Sequence, residues 1–224
     1  MEKEIKLIVP DAKALEGVDV SGELLQKSFC YMIIGPPGSG KSTLIINLLK
    51  HPDLYYLKFN KVYFITPSGF DGVILSEDVN WYKTINSVWI KNKIEDVSKS
   101  AKIPQNVLII FDDVIAQFKR FENEQFMTDL FYNRRHLFPN VNVSIIIGSQ
   151  KWNVLPFKFR TTVTGSWIFK VPQSIWAEIE KEIYVSNMKG LKASLPMLWR
   201  KKYDFVYVNN ENELIFNNFK KIFI

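Results

Sequence analysis

Residues 35–42 read Gly35-Pro36-Pro37-Gly38-Ser39-Gly40-Lys41-Ser42, directly after the apolar run Tyr31-Met32-Ile33-Ile34 and directly before a helix-like stretch, Thr43–Lys50. This is the pattern G-x-x-x-x-G-K-[ST] in its meaningful setting of strand, tight loop and helix. Glycines let the backbone turn so that successive N–H groups face inward, and the helix N-terminus adds a positive dipole. A triphosphate is the natural guest of such a loop. Lys41 is expected to reach the β- and γ-phosphates and Ser42 to hold Mg²⁺. The amides of Gly38, Ser39, Gly40 and Lys41 would wrap the β-phosphate. Gly35 to Thr43, with Pro36 and Pro37 inside it, is therefore the expected nucleotide-binding segment. The bland alternative is a glycine turn that joins a strand to a helix and binds nothing; the flanks argue against it.

A second segment answers the first. Asn106-Val107-Leu108-Ile109-Ile110-Phe111-Asp112-Asp113 is an apolar run ending in two carboxylates. A buried strand that pushes acids out at its C-terminal end delivers them where ligands bind in open α/β sheets. Asp112 is expected in the Mg²⁺ shell beside Ser42, and Asp113 in the position of a general base or water-orienting group. The plain alternative is an Asp capping a helix. A third strand, Val143–Gly148, runs into Ser149-Gln150, where an amide can contact the γ-phosphate or the attacking water. Set between the other two strands, it points to the additional-strand (RecA-like) class of P-loop NTPase. Arg134, Arg135 and Arg160 are candidate cations for stabilising transition-state charge across a subunit boundary, Arg135 and Arg160 foremost. Cations closing a helix offer a structural account of the same residues.

Composition sets the frame. The 224 residues suffice for one sizeable α/β domain, and 47% hydrophobic residues indicate a globular core. Lys and Arg number 29 against 23 Asp and Glu, a net +6 that is compatible with a polyanionic partner without proving one. The single cysteine, Cys30, forbids an intramolecular disulfide and fits a reducing setting. It reads as a small core residue just before the first strand. The charged start Met1-Glu2-Lys3-Glu4 does not resemble a signal peptide, and no apolar run approaches the ~18 residues needed to span a bilayer. A soluble protein with no membrane insertion is expected.

Strands are expected at Tyr31–Gly35, Val62–Thr66, Val88–Ile90, Val107–Phe111, Val143–Ile147 and Trp167–Lys170. Several lack polar alternation, as parallel strands buried on both faces do. Helices are expected at Ser42–Lys50, at Glu122–Leu137, and at Ile175–Met188 with Ser174 as N-cap and Lys189-Gly190 as stop. The fold class is α/β: a mostly parallel central sheet with helices on both faces. Residues 1–30 read as a leader or edge segment, 31–190 as the P-loop core, and 191–224 as a β-leaning extension ending in a strand pair. Residues 68–105 look irregular and polar.

These motifs resemble the FtsK/HerA superfamily of ATPases, and within it the poxvirus-type genome-packaging ATPases of large DNA viruses and virophages. The resemblance rests on Gly35–Ser42, on Ile109–Asp113, on Arg135-His136 before the strand ending Ser149-Gln150, and on Leu155-Pro156 followed by Arg160. It implies that Lys41 and Ser42 bind ATP with Mg²⁺, that Asp112 holds the metal and that Asp113 activates water. It further implies that Gln150 senses the γ-phosphate and that Arg135 or Arg160 reaches a neighbour's ATP in a ring, a hexamer. The implied activity is an ATPase motor that threads double-stranded DNA, without sequence preference, into a capsid. Its partner would be a capsid or portal-like vertex protein. The implied setting is the host cytoplasm or viral factory, with virion association, and not the secreted space. DNA contacts are expected in 68–105 and in the basic cluster Arg200-Lys201-Lys202.

Two departures stand out. Many relatives carry Asp-Glu where this chain has Asp112-Asp113, and the loop Gly-Pro-Pro-Gly-Ser-Gly-Lys-Ser also resembles that of AAA+ proteins. The other readings of the same residues are an AAA+-like remodeller of a protein partner and a non-hydrolysing ATP-binding assembly scaffold.

Overall fold

A computed structural model describes residues 28–67 and 79–223; most of the expected leader and residues 68–78 lie outside the described residues. Among the described residues nine strands make one sheet. They are β1 (Cys30–Ile34), β2 (Lys61–Ile65), β3 (Val79–Tyr82), β4 (Gln105–Asp112), β5 (Val141–Ser149), β6 (Gly165–Phe169), β7 (Phe205–Asn209), β8 (Leu214–Asn217) and β9 (Lys220–Ile222). The helices are α1 (Lys41–Lys50), α2 (Ser87–Ser100), α3 (Gln125–Tyr132), α4 (Phe157–Arg160), α5 (Gln173–Ile179) and α6 (Met188–Leu198).

The spatial order is β3-β2-β4-β5-β1-β6-β7-β8-β9. Pairings from β3 to β6 are parallel, and the last three strands add an antiparallel meander. The expected mostly parallel sheet is thus present, with β5 inserted between β1 and β4. Apolar runs without alternation become strands covered on both faces. Tyr31, Ile33, Leu108, Ile110 and Ile146 join Leu44, Ile45 and Leu48 of α1. The intervening residues Met32, Ile34, Ile109, Phe111, Ile145 and Ile147 join α2, α3, α5 and α6 through Ile90, Leu130, Ile179 and Leu191. Each such side chain stabilises the fold by roughly 1.5–3 kcal/mol on burial, so the motif-bearing strands are held firmly from both faces.

Several expectations are corrected. Val88–Ile90 is not a strand; it opens α2, because Asn86 Oδ1 accepts from Trp89 N at 3.0 Å and caps the helix. Its Ile90, Ile94 and Val97 then fall on one buried face at helical spacing. The helix expected over Glu122–Leu137 is confined to α3. A 3₁₀ segment, Ile115–Phe121, precedes it, and the Arg134 guanidinium folds back onto the carbonyl oxygens of Phe131 and Ser28, at 2.8 Å each.

The helix expected over Ile175–Met188 ends at Ile179, and Ser174 lies inside it behind Pro172. Lys189-Gly190 does not stop a helix but lies in the first turn of one: Asn187 Oδ1 accepts from Gly190 N at 2.9 Å, and α6 runs on through 191–198, the start of the expected β-leaning extension. Within 68–105, the described part holds β3 and α2. Cys30 belongs to β1 itself, fully buried, and burial pushes its thiol up to about 11.

Candidate nucleotide site

The C-terminal ends of β1, β5 and β4 lie side by side, and the loop after β1 sits on them. Gly35 N donates to Ser149 O at 3.1 Å, tying the loop's first residue to the tip of β5. Gly38 and Gly40 adopt φ of 71° and 101°, a left-handed backbone that favours glycine and turns the chain into α1. A side chain at Gly35 would collide with Ser39 and would come within 2.9 Å of Phe169 Cβ. Lys41 is buried, and its ammonium donates to the carbonyl oxygens of Gly35 at 2.9 Å and Pro36 at 3.2 Å, so it lies across the loop. Ser39 is buried with an unpartnered hydroxyl. Pro36, Gly40 and Ser42 are half-buried, whereas Pro37, Gly38 and Thr43 face solvent.

Asp112 ends β4 and is only 3% exposed. Ser42 Oγ donates to its Oδ2 at 2.9 Å, whereas its Oδ1 is buried with no hydrogen-bond partner. Burial raises the Asp112 carboxyl above its ordinary range, and the nearby Asp113 adds to the rise. The Ser42 hydrogen bond and the Lys41 charge work against it without cancelling it. A buried acid with an unsatisfied oxygen is costly on its own and becomes favourable when a cation sits against it. The space is made by Gly148, directly opposite Asp112 in the β4–β5 register: any Cβ there would run into Asp112 Oδ1. Asp113 is exposed and takes φ 55°, an uncommon conformation for a residue with a side chain, though Asp tolerates it better than most. The chain thus turns sharply as it leaves the sheet. Gln150 follows β5 and is exposed at the same edge.

The two arginines lie elsewhere. Asn133 to His136 precede β5, Thr161 to Thr164 precede β6, and Asn210 and Glu211 follow the antiparallel β7. All of them therefore lie at the N-terminal end of the parallel strands. Together they line a cavity of roughly 600 Å³, which Arg135, Arg160, Tyr132 and Tyr184 share. It is separated from the glycine loop by about the length of β1, on the order of 15 Å at ~3.3 Å per residue.

Arg160 is engaged there. Its Nε and Nη2 donate to the two oxygens of Glu182 at 2.8 Å each, and Nη1 donates to the carbonyls of Asn153 and Leu155. Burial would raise the Glu182 carboxyl, but the Arg160 guanidinium beside it holds it below the usual carboxylate range. Arg135 is looser, with one 3.3 Å bond to Glu211 and half of each side chain in solvent. Arg134 is a buried brace and not a free cation.

Sequence reasoning missed Gly148 as a site residue, although a glycine inside a central strand signals close approach of another group. It also missed Tyr203 and Phe169, which flank the loop. The Gly40 α-carbon faces both of them, and no local pattern announces that contact.

A strand, a glycine loop and a helix, an acid on the tip of a strand one place removed, and an inserted strand between define a P-loop nucleoside triphosphatase of the additional-strand class. Residues 20–219 match the family model described as poxvirus A32 protein, and the chain belongs to that family.

Solved structures with the same fold include the DNA-packaging ATPase B204 from Sulfolobus turreted icosahedral virus, 17% identical, with a TM-score of 0.59 over 88% of this chain and 99% of that one. B204 from Sulfolobus turreted icosahedral virus 2, a genome packaging NTPase in complex with ATP-γS, is 16% identical, with a TM-score of 0.61 over 88% and 100%. The pCW3 conjugation coupling protein TcpA with ATPγS is 15% identical, with a TM-score of 0.58 over 88% and 60%. No match is found among curated protein sequences. Among the described residues no helix is long and apolar enough to cross a membrane.

Proposed function

We propose that this chain is an ATP-hydrolysing motor that drives double-stranded DNA into a viral capsid. The observation that carries the reading is the Ser42–Asp112 junction, with a buried, unpartnered Asp112 oxygen beside the lysine-bearing loop, in a member of the poxvirus A32 family. The solved relatives that package genomes, one of them holding ATP-γS, support the same reading.

In this reading Lys41 exchanges its two carbonyl partners for the β- and γ-phosphate oxygens, and the amides of Gly38 to Lys41, with the Ser39 hydroxyl, surround the β-phosphate. Ser42 and Asp112 would hold Mg²⁺, which would supply positive charge to neutralise the phosphates. Asp113, on its sharp turn, orients or deprotonates the attacking water, and Gln150 contacts the γ-phosphate from the tip of β5. Arg135 and Arg160 lie in segments that lead into β5 and β6, away from the loop of their own chain, which favours a role toward a neighbouring subunit. Arg135, exposed and singly bonded, is the better candidate, whereas Arg160 is already committed to Glu182.

Such sharing requires a ring, which we take to be a hexamer, docked on a capsid or portal-like vertex in the host cytoplasm or viral factory. DNA is held through its phosphates without sequence preference, consistent with the net charge of +6.

The test is ATP hydrolysis measured at low salt with and without linear double-stranded DNA. DNA should stimulate the wild-type rate several-fold, and the rate per subunit should rise with protein concentration. A rate indifferent to DNA but accelerated by a protein partner would overturn the packaging assignment in favour of remodelling.

A further inference from the structure

The nucleotide loop has two flanks, and only one is used by the phosphate and metal chemistry. Asp112 and Gly148 lie on the β4 and β5 side of β1. On the other side, over β6 and β7, two aromatic rings close against the loop. A Cβ placed on Gly40 would lie 3.3 Å from Tyr203 Cδ1 and 3.6 Å from Phe169 Cε1. Phe169 is buried and packs on Phe205, with ring centroids 5.5 Å apart. Tyr203 is 58% exposed although it touches the loop.

Its position is fixed from both ends. Trp199 Nε1 donates to Ile168 O at 3.1 Å, anchoring the chain before it to β6. After it, Asp204 accepts from Lys201 N at 2.7 Å and from Asn218 Nδ2 at 3.3 Å, closing the turn. Lys202 Nζ lies 5.2 Å from the Tyr203 ring centroid, placing positive charge beside the ring. A large aromatic surface thus stands in water beside the glycine loop, on backbone anchored at both sides, and is free to be covered by a ligand.

We infer that Tyr203 is the platform on which the base of the bound nucleotide stacks. The inference rests on the triphosphate reading of the loop. A nucleotide whose terminal phosphate lies at Ser42 and Asp112 runs along the loop, and its sugar and base emerge on the β6 side, where Tyr203 stands. Stacking reads the π-face of a base and not its hydrogen-bonding edge, and the larger purine ring gains more from it. The site therefore takes ATP and GTP alike, disfavours CTP and UTP, and holds any of them more tightly than a bare polyphosphate.

The experiment compares wild type, Tyr203→Ala and Tyr203→Phe, measuring KM and kcat for ATP and GTP and inhibition by inorganic tripolyphosphate. Tyr203→Ala should raise KM for both purine nucleotides about tenfold, with kcat changed less than twofold and the tripolyphosphate inhibition constant unchanged. Tyr203→Phe should behave as wild type. An Ala variant with ATP KM within twofold of wild type overturns the inference. So does an equal loss of ATP and tripolyphosphate binding, which would mean that the ring only braces the loop. If the wild-type protein is not inhibited by tripolyphosphate and binds no nucleotide, the triphosphate reading itself has failed and this inference falls with it.

Discussion

The two ends of the parallel strands treat charge in opposite ways. At the C-terminal end, Asp112 is buried with one oxygen unpartnered, and the Lys41 ammonium donates to the backbone carbonyls of Gly35 and Pro36, not to a carboxylate. At the N-terminal end, Arg160 and Glu182 satisfy each other through two 2.8 Å bonds. Folding alone gains nothing from an unsatisfied buried acid, so the first end is arranged for a ligand, whereas the Arg160–Glu182 pair at the second serves the fold. In the proposed function, the arrangement at Asp112 is a local loss of stability at the position that would hold the metal.

The contrast is sharpened first by Lys41→Ala, which should lower ATP hydrolysis by roughly two to three orders of magnitude while leaving the melting temperature near that of wild type. If hydrolysis survives, the loop is not the site. Arg160→Ala should do the reverse. Leaving Glu182 without its partner should cost about 2 kcal/mol of stability, read as a fall in the denaturation midpoint. Arg135→Ala should instead lose hydrolysis without losing stability, and mixing it with Lys41→Ala protein should restore part of the activity, because each subunit supplies what the other lacks. A stable Arg160→Ala protein defective only in hydrolysis would reverse the assignment of the two arginines.

Asp112→Asn should remove metal-dependent activity yet raise the stability of the nucleotide-free protein by about 1 kcal/mol, because the charge no longer has to be buried. A destabilised variant would mean that the carboxylate is already compensated.

The smallest effect is in the pH dependence. Asp112, whose carboxyl is raised, is more protonated when folded, so its contribution to stability declines as pH rises from about 4 through its folded value. Glu182, held low, contributes stability above the ordinary carboxylate range, and that contribution is lost as pH falls through its folded value. Asp112→Asn should therefore remove the alkaline-going decline, and Arg160→Ala the acid-going one. Midpoints measured in urea, which leaves charges unscreened, from about pH 2 to 7 separate them.

What the sequence reveals follows the same division. The loop, the β4 tip and β5 are read correctly from contiguous residues, because buried parallel strands and glycine turns are specified locally. Val88-Trp89-Ile90 misleads, because a short β-branched and aromatic run is ambiguous until Asn86 is seen to cap it. The end of α3 is set by Arg134 reaching back to Ser28, 106 positions away, and no window of residues contains that contact. The same holds for Arg160 with Glu182, for Gly148 beneath Asp112, and for Tyr203 beside Gly40. Side chains that chemistry places in a motif are legible; the neighbours that fix their behaviour come from distant parts of the chain.

The most direct test of the central claim is the Mg²⁺ dependence of ATP-γS affinity, measured by calorimetry for wild type, Ser42→Ala and Asp112→Asn. Wild type should bind at least tenfold more tightly with Mg²⁺ than with chelator, and both variants should lose most of that difference while keeping the metal-free affinity. An undiminished Mg²⁺ effect in both variants would contradict the account, because the metal would then be held somewhere other than between the loop and the tip of β4.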